Sequence, residues 1–497
     1  MNPRLRFAPS PTGFVHIGGL RTALYNYLYA KQMGGTYLIR IEDTDQTRFV
    51  EGAIEGMINA MTWSGVMHDE GPFIEPNTHK VIEKGDFGPY IQSNRLELYK
   101  KHALELIEKD HAYYCFCSKE RLEALRDKQK EDGATPKYDG HCRSLSNEEI
   151  NQKLVSGMDH VIRLKLPANR VIEFDDAIKG MVSVNTNDMD DQVLMKTDGF
   201  PTYHMAVVVD DHYMGITHVV RGDEWLISTP KHIYTYEAFG WTPPRFVHLP
   251  VILGQSKKKL SKREGDVAVE DFKRRGYLPE ALINFIALVG WSPEDGQEIM
   301  SMAEMIEKFS FDRVSKSSGI FDVDKLNWMN NIYIKNYDLE ALTNLSKNFL
   351  INAALATEET FDRDFAWLKR IVEVLRERLH KLEDLNDYTT FFKRNDVEIE
   401  DDEAKEIIEM THVPEILNVF IEKISNVETL DSETVKSILK EIQKETGHKG
   451  KNLFMPVRVA ITGQVHGPDI AIVTEILGSA LTCERIRYCL EHHCIKL

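Results

Sequence analysis

The sequence predicts an α/β protein in which a parallel-sheet domain, broken by an insertion, precedes an all-helical module. Three observations predict it. A strand–helix–strand pattern opens the chain, a second αβ-like stretch covers 200–253, and beyond about residue 326 the strand signal disappears.

Residues 4–8 and 36–42 read as strands around a helix over about 18–33. That helix puts Leu20, Ala23, Leu24, Tyr27 and Leu28 on one face and stops at Gly34-Gly35. Such a βαβ unit implies a parallel sheet. The stretch 200–253 supplies apolar runs at 205–209 and 219–220 and a strand-like 250–253. Between the two halves, 100–195 is mixed, with a charged helix at 119–130 and strand candidates at 161–166 and 171–174, and reads as the insertion. Further on, Leu368, Ile371, Val372, Leu375, Leu379 and Leu382 recur at helical spacing within 365–385.

A chain of 497 residues exceeds what one core supports, so about two to four domains are expected. Its 42% hydrophobic and 28% charged content is that of a soluble globular protein. No apolar run approaches the roughly 20 residues of a membrane-spanning helix, and no basic-apolar targeting segment opens the chain. A cytoplasmic address without membrane contact is therefore expected. The net charge of −17 argues against indiscriminate nucleic-acid binding. Lysine patches at 257–262 and at Lys444, Lys449 and Lys451 leave room for a specific nucleic-acid partner.

Six cysteines form two groups. Cys483, Cys489 and Cys494 lie in an apparent helix and read as packing residues. Without a secretory signal, Cys115, Cys117 and Cys142 are not expected in disulfides, and they fit three thiolate ligands of a structural zinc. Tyr138, four residues before Cys142, and His141, just before it, are the candidates for a fourth ligand.

Two segments carry the chemistry. Residues 6–19 read Arg-Phe-Ala-Pro-Ser-Pro-Thr-Gly-Phe-Val-His-Ile-Gly-Gly and lead from a strand through a Pro/Gly turn into a helix. Glycines at a helix start let backbone N–H groups approach a phosphate, and the helix dipole favours its charge. His16 beside them can donate to an α-phosphate as charge builds there. Downstream, Lys259-Leu260-Ser261-Lys262-Arg263 places two cations, Lys259 and Lys262, where they would suit a departing pyrophosphate.

In this order the two segments resemble the HIGH and KMSKS elements of class I aminoacyl-tRNA synthetases. Gly19 replaces the second histidine of HIGH, and Leu260 and Arg263 replace the Met and the last Ser of KMSKS. Both variants are usual in the glutamyl branch, so the resemblance narrows to the bacterial-type glutamyl-tRNA synthetases. It implies a Rossmann-type nucleotide-binding domain in two halves, 1–99 and 196–253, around an inserted acceptor-end-binding domain at 100–195. A KMSKS-type loop and stem-contact segment would follow at 254–330, with 278–291 and 322–330 matching. A helical anticodon-binding domain would occupy 331–497, with 450–458 and 463–467 matching its last part.

The resemblance also implies roles. His16, Lys259 and Lys262 would be catalytic. Thr12, His16, Gly18, Gly19, Glu224, Trp225 and Lys262 would bind ATP, accompanied by Mg2+. At the glutamate site, Arg6 and Arg221 would take the side-chain carboxylate, Ser10 the α-carboxylate and Glu42 the α-amino group, with Tyr203 lining the pocket. Val207 stands where some relatives carry Asn, which puts that amide contact in doubt. Seen without the motif, Arg6 and Arg221 could equally pair with Glu42 and Asp43. For zinc, the Cys-x-Cys…Tyr-x-x-x-Cys arrangement of related queuosine-tRNA enzymes favours Tyr138, although imidazole is the better ligand chemically. Ser144 stands where some zinc-bearing relatives have histidine. Bound zinc would stabilise a subdomain by on the order of 10 kcal/mol.

The implied reaction forms glutamyl-adenylate from L-glutamate and ATP and then charges tRNA-Glu. A monomer is the family expectation. Whether tRNA-Gln is also charged stays open. A glutaminyl enzyme would usually carry Glu where Ala8 stands, and would read the anticodon with β-barrels rather than helices.

Overall fold

The computed structural model describes residues 2–260, 267–393 and 397–494. Ser261, Lys262 and Arg263 of the second motif lie outside them. The chain divides into two compact units: Met1–Lys273 with Pro279–Val323, and Arg274–Leu278 with Asp324–Leu497.

The first unit is built on a six-stranded sheet. Its strands are β1 (Arg4–Phe7), β2 (Thr36–Ile39), β3 (Val171–Asp176), β4 (Gly180–Asn185), β5 (His218–Gly222) and β6 (Arg245–Leu249). They lie in the order β2-β1-β5-β6-β3-β4. Neighbours are parallel from β2 to β3, and β4 closes the edge antiparallel.

The opening βαβ unit forms as expected. Helix α1 (Ile17–Gln32) starts where the His16 side chain accepts from the Gly18 N–H, and it stops before Gly34, which takes the left-handed conformation with φ of 61°. Leu20, Ala23, Leu24 and Leu28 are fully buried. On the other side, α2 (Tyr203–Tyr213) and α3 (Thr229–Phe239) join the helix Leu96–Glu108 in one core with Val219 and Phe246. The apolar run 205–209 is thus the buried middle of α2.

Between the halves, strands Ala112–Cys115, Val161–Leu164 and Val193–Met195 form a separate antiparallel sheet. The charged helix Lys119–Glu131 begins at a Ser118 cap. The β3–β4 hairpin differs from expectation. Its first strand was expected inside the insertion, yet it extends the main sheet, with Asp176 level with Phe246. There it covers the backbone edge that β6 would otherwise leave unpaired. The strand-like 250–253 also behaves differently. Pro250 offers no N–H to continue β6, and Ile252–Leu253 pairs instead with Gly319–Ile320.

In the second unit, no strand occurs beyond Asp324 among the described residues. Leu368, Ile371, Val372 and Leu375 are buried on one face of Phe365–Leu375. The helix expected to reach 385 breaks there, because the Asp384 carboxylate accepts the backbone N–H groups of His380 (2.8 Å) and Lys381 (3.1 Å) and turns the chain. Helices Val413–Ser425, Ser432–Thr446, Lys451–Thr462 and Ile470–His492 complete the unit. Cys483 and Cys489 are buried in the last of these, as packing residues should be.

Candidate active site

In an open parallel sheet, ligands bind beyond the carboxyl ends of the strands. Here the loops leaving β1, β2, β5 and β6 at that edge carry Ser10 and His16, Glu42, Glu224, and Lys259 respectively. Two cavities open among them. One of about 520 Å³ is lined by Arg6, Ser10, Glu42, Tyr203, Arg221 and Trp225. The other, of about 490 Å³, is lined by His16, Gly18, Gly19, Glu224 and Lys259. Thr22 and Gly222 line both. Thr12 lines neither, and its backbone N–H donates to the Ser10 carbonyl at 2.9 Å.

The first cavity is walled by buried charges. Arg6 donates through Nε and Nη2 to the two oxygens of Asp211 at 3.0 and 3.3 Å. Arg40, fully buried, donates to Asp211 at 2.7 Å and to Glu42 at 3.0 Å. Burial pushes the Glu42 carboxyl up despite the neighbouring Arg40 and Arg6. Among the described residues, neither Arg6 nor Arg221 pairs with Glu42 or Asp43; Asp43 accepts from the Ser93 N–H instead, at 2.8 Å.

Arg221 is different. It is 6% exposed, and its partners are neutral: His248 Nε2 at 3.1 Å, Tyr203 Oη at 2.9 Å, Thr229 Oγ1 at 2.8 Å and His232 Nδ1 at 3.3 Å. Among the described residues no carboxylate forms an ion pair with it. Burying an unpaired charge is costly, so the arrangement suits an anionic ligand. The Trp225 ring lies over Tyr203, with centroids 4.1 Å apart. The structure thereby places Trp225 on this side and Glu224 beside the second cavity.

In the second cavity, the N-terminus of α1 faces open space. A methyl group added at Gly18 would meet nothing closer than 3.4 Å, and at Gly19 nothing closer than 3.5 Å. The protein's own packing therefore does not demand glycine there, whereas a phosphate lying against the main chain would. His16 Nδ1 accepts from Gly18 N–H at 3.0 Å, so a neutral ring carries its proton on Nε2. Lys259 is exposed and follows a tight turn in which Gly254 N–H donates to the Lys258 carbonyl.

A third cluster lies in the segment between the halves. The sulfur atoms of Cys115, Cys117 and Cys142 lie within 4.8 Å of one another. The Cys117–Cys142 separation is 3.6 Å, and a tetrahedral zinc with Zn–S bonds of about 2.3 Å has sulfur–sulfur edges of about 3.8 Å. The Tyr138 phenol oxygen is 3.4 Å from both Cys115 and Cys117 and accepts the Cys142 N–H. A hydrogen bond between Cys142 and Cys115 pushes the Cys115 thiol down to about 4 and the Cys142 thiol up. His141 is exposed and not part of the trio. The donor set therefore fits zinc, with Tyr138 at its side.

Sequence reasoning missed Arg40, Asp211, His248 and Asp176. Two of them left a signal. Arg40 interrupts the apolar strand 37–41, and Asp210-Asp211 closes the apolar run 205–209.

The family described as tRNA synthetases class I (E and Q), catalytic domain, matches residues 3–328, and an anticodon binding domain matches 341–490. A glutamate–tRNA ligase of Alkaliphilus metalliredigens is 57% identical over 489 residues, 98% of this chain and 99% of that one. One of Clostridioides difficile is 56% identical over 488 residues, 98% of this chain and 99% of that one. A crystal structure of a glutamate tRNA ligase from Elizabethkingia meningosepticum, in complex with its amino acid, matches with a TM-score of 0.89 and 36% identity. That match covers 99% of this chain and 100% of that one. The chain belongs to the glutamate–tRNA ligase family.

Proposed function

We infer that this protein activates glutamate with ATP and transfers it to tRNA-Glu. The observation that carries the reading is the charge of the first cavity. Of the buried guanidinium groups at and behind its wall, Arg6 pairs with Asp211 and Arg40 with Asp211, Glu42 and Asp210, whereas Arg221 has no carboxylate partner among the described residues. Glutamate brings two carboxylates and one ammonium. Its side-chain carboxylate would meet Arg221 with Arg6 behind it, its α-ammonium Glu42, and its α-carboxylate Ser10. Glutamine, neutral overall, would leave Arg221 buried and uncompensated, at about 1–3 kcal/mol or more.

The α-carboxylate then points toward the shared wall at Thr22 and Gly222, behind which ATP would lie. A carboxylate oxygen attacks the α-phosphorus, the bond to the β-phosphate oxygen breaks, and pyrophosphate leaves. The Gly19 backbone N–H and His16 Nε2–H would stabilise the α-phosphate as its charge grows, while Gly18 N–H holds His16 Nδ1, and Lys259 and Lys262 would receive the pyrophosphate. Mg2+ bound with ATP would supply charge neutralisation. The terminal ribose hydroxyl of tRNA next attacks the acyl carbon, and AMP departs. No side chain acts as a nucleophile. Cys115, Cys117, Cys142 and Tyr138 would hold zinc away from this chemistry, and a cytoplasmic monomer completes the reading.

Purified protein should attach labelled glutamate, and not glutamine, to a tRNA-Glu transcript, and failure to do so sinks the assignment. A parallel tRNA-Gln transcript decides whether that tRNA is also a substrate. Stoichiometric zinc by elemental analysis, lost in Cys142→Ser, is the expected outcome for the cysteine cluster.

A further inference from the structure

Arg221 is held from behind, inside the sheet. β5 and β6 run parallel with Arg221 level with His248. Arg221 Nε donates to His248 Nε2 at 3.1 Å. A guanidinium nitrogen can only donate, so this contact requires an unprotonated Nε2, to which the Thr229 hydroxyl, also 3.1 Å away, would then donate. On the opposite side of the ring, Nδ1 lies 2.6 Å from Asp176 Oδ2, and both side chains are 0% exposed. A carboxylate can only accept, so Nδ1 carries the proton. Asp176 is itself anchored, its Oδ1 accepting the backbone N–H groups of Ile178 at 3.0 Å and Lys179 at 2.8 Å.

We propose that Asp176 and His248 form a positioning pair that selects the Nδ1–H tautomer and thereby fixes Arg221 for the substrate's side-chain carboxylate. The proposal rests on the reading of Arg221 given under the proposed function. By holding Nε, the inner corner of the guanidinium, His248 sets the plane in which both Nη groups reach Tyr203, Thr229 and the cavity. Neither His248 nor Asp176 lines that cavity. Burial, together with the facing Arg221, keeps His248 below its ordinary pKa although Asp176 pulls the other way. The neutral ring the hydrogen bonds demand is thus also the favoured one.

Three substitutions separate positioning from mere filling of the interior. Asp176→Asn offers an amide N–H to Nδ1, drives the ring to the Nε2–H tautomer and sets donor against donor at Arg221. His248→Asn keeps a donor toward Asp176 and withdraws the acceptor from Arg221. His248→Gln places its amide oxygen near the Nε2 position and keeps that acceptor. In steady-state charging of tRNA-Glu, the first two should raise the glutamate KM by about tenfold or more while the ATP KM stays within about twofold. His248→Gln should remain within about threefold of the native glutamate KM. Imidazole ¹⁵N shifts of the native protein, which need no variant to fold, should report His248 protonated at Nδ1 alone.

An Nε2–H or doubly protonated His248 overturns the proposal. So does a glutamate KM for His248→Asn within about twofold of native, or equal losses in His248→Gln and His248→Asn. Failure of the native protein to charge tRNA with glutamate would instead overturn the function and leave the tautomer result standing.

Discussion

The two cavities share Thr22 and Gly222 yet are built by opposite means. The cavity read as the amino-acid site is walled by side chains held from behind: Arg6 by Asp211, Glu42 by Arg40, and Arg221 by His248 and Thr229 with Tyr203 beside it. The cavity read as the nucleotide site is walled by Gly18, Gly19 and Gly222, a helix N-terminus, the buried Arg21 and an exposed lysine. Choosing among amino acids of similar size requires charges that cannot rearrange to suit the wrong one, and a buried network supplies them. A nucleotide brings a polyphosphate that main-chain N–H groups and surface cations can read. On the proposed reading, selectivity would lie with the buried network and phosphoryl departure with the more open cavity.

Four measurements break or sharpen that contrast. Arg221→Ala removes the unpaired cation and should lower kcat/KM for glutamate by about a thousandfold, near 4 kcal/mol, with the ATP KM barely moved. Equal losses toward both substrates would show that the cavities are not independent. Lys259→Ala should act on the other side, lowering kcat by about a hundredfold at an unchanged glutamate KM. A rise in glutamate KM instead would place that lysine in the wrong cavity.

Gly18→Ala tests the main-chain reading. The added methyl meets only His16 Nδ1 at 3.4 Å, so the melting temperature should hold while the ATP KM rises about tenfold. Unchanged ATP binding would mean that the phosphates never come so close.

The smallest expected effect is acid sensitivity seated around the amino-acid cavity. Burial pushes His204 down to about 4 and holds His232 well below its ordinary value. The unfolded chain therefore takes up these protons before the folded one does. Stability is complete above the unfolded value near 6.5 and declines as pH falls from there toward 4. Thermal melts at pH 5 should lie a few degrees below those at pH 7, and His204→Gln should flatten the slope. An unaltered slope in that variant would move the acid sensitivity elsewhere.

The nucleotide side was the more legible of the two in the sequence. One stretch of its lining, 16–22, is contiguous in chain, so the turn at 9–19 and the helix after it announce themselves through Pro, Gly and a 3.6-residue period, and the distant Lys259 came through its own motif. The amino-acid side depends on partners far apart in sequence. Arg221 and Glu42 were recoverable through the family motif, but Asp211 reaches Arg6, His248 reaches Arg221 and Asp176 reaches His248 only once the chain is folded. Arg6 shows the same limit: its place in the cavity was legible, its engagement by Asp211 was not. In the second unit, the apolar face of Phe365–Leu375 followed from periodicity, whereas the break after it depends on Asp384, a local hydrogen-bonding competitor that periodicity does not register.

The hairpin 171–185 bears on how such a chain can be recombined. A guest segment spliced into a host would ordinarily keep its strands to itself. Here the guest returns two strands to the host sheet, and the first of them delivers the carboxylate behind Arg221. A chimaera exchanging 100–195 wholesale between lineages would import a foreign strand behind the wall that carries Arg221. Exchanging 100–170 alone would leave that wall native, so the workable seam between guest and host runs ahead of the hairpin.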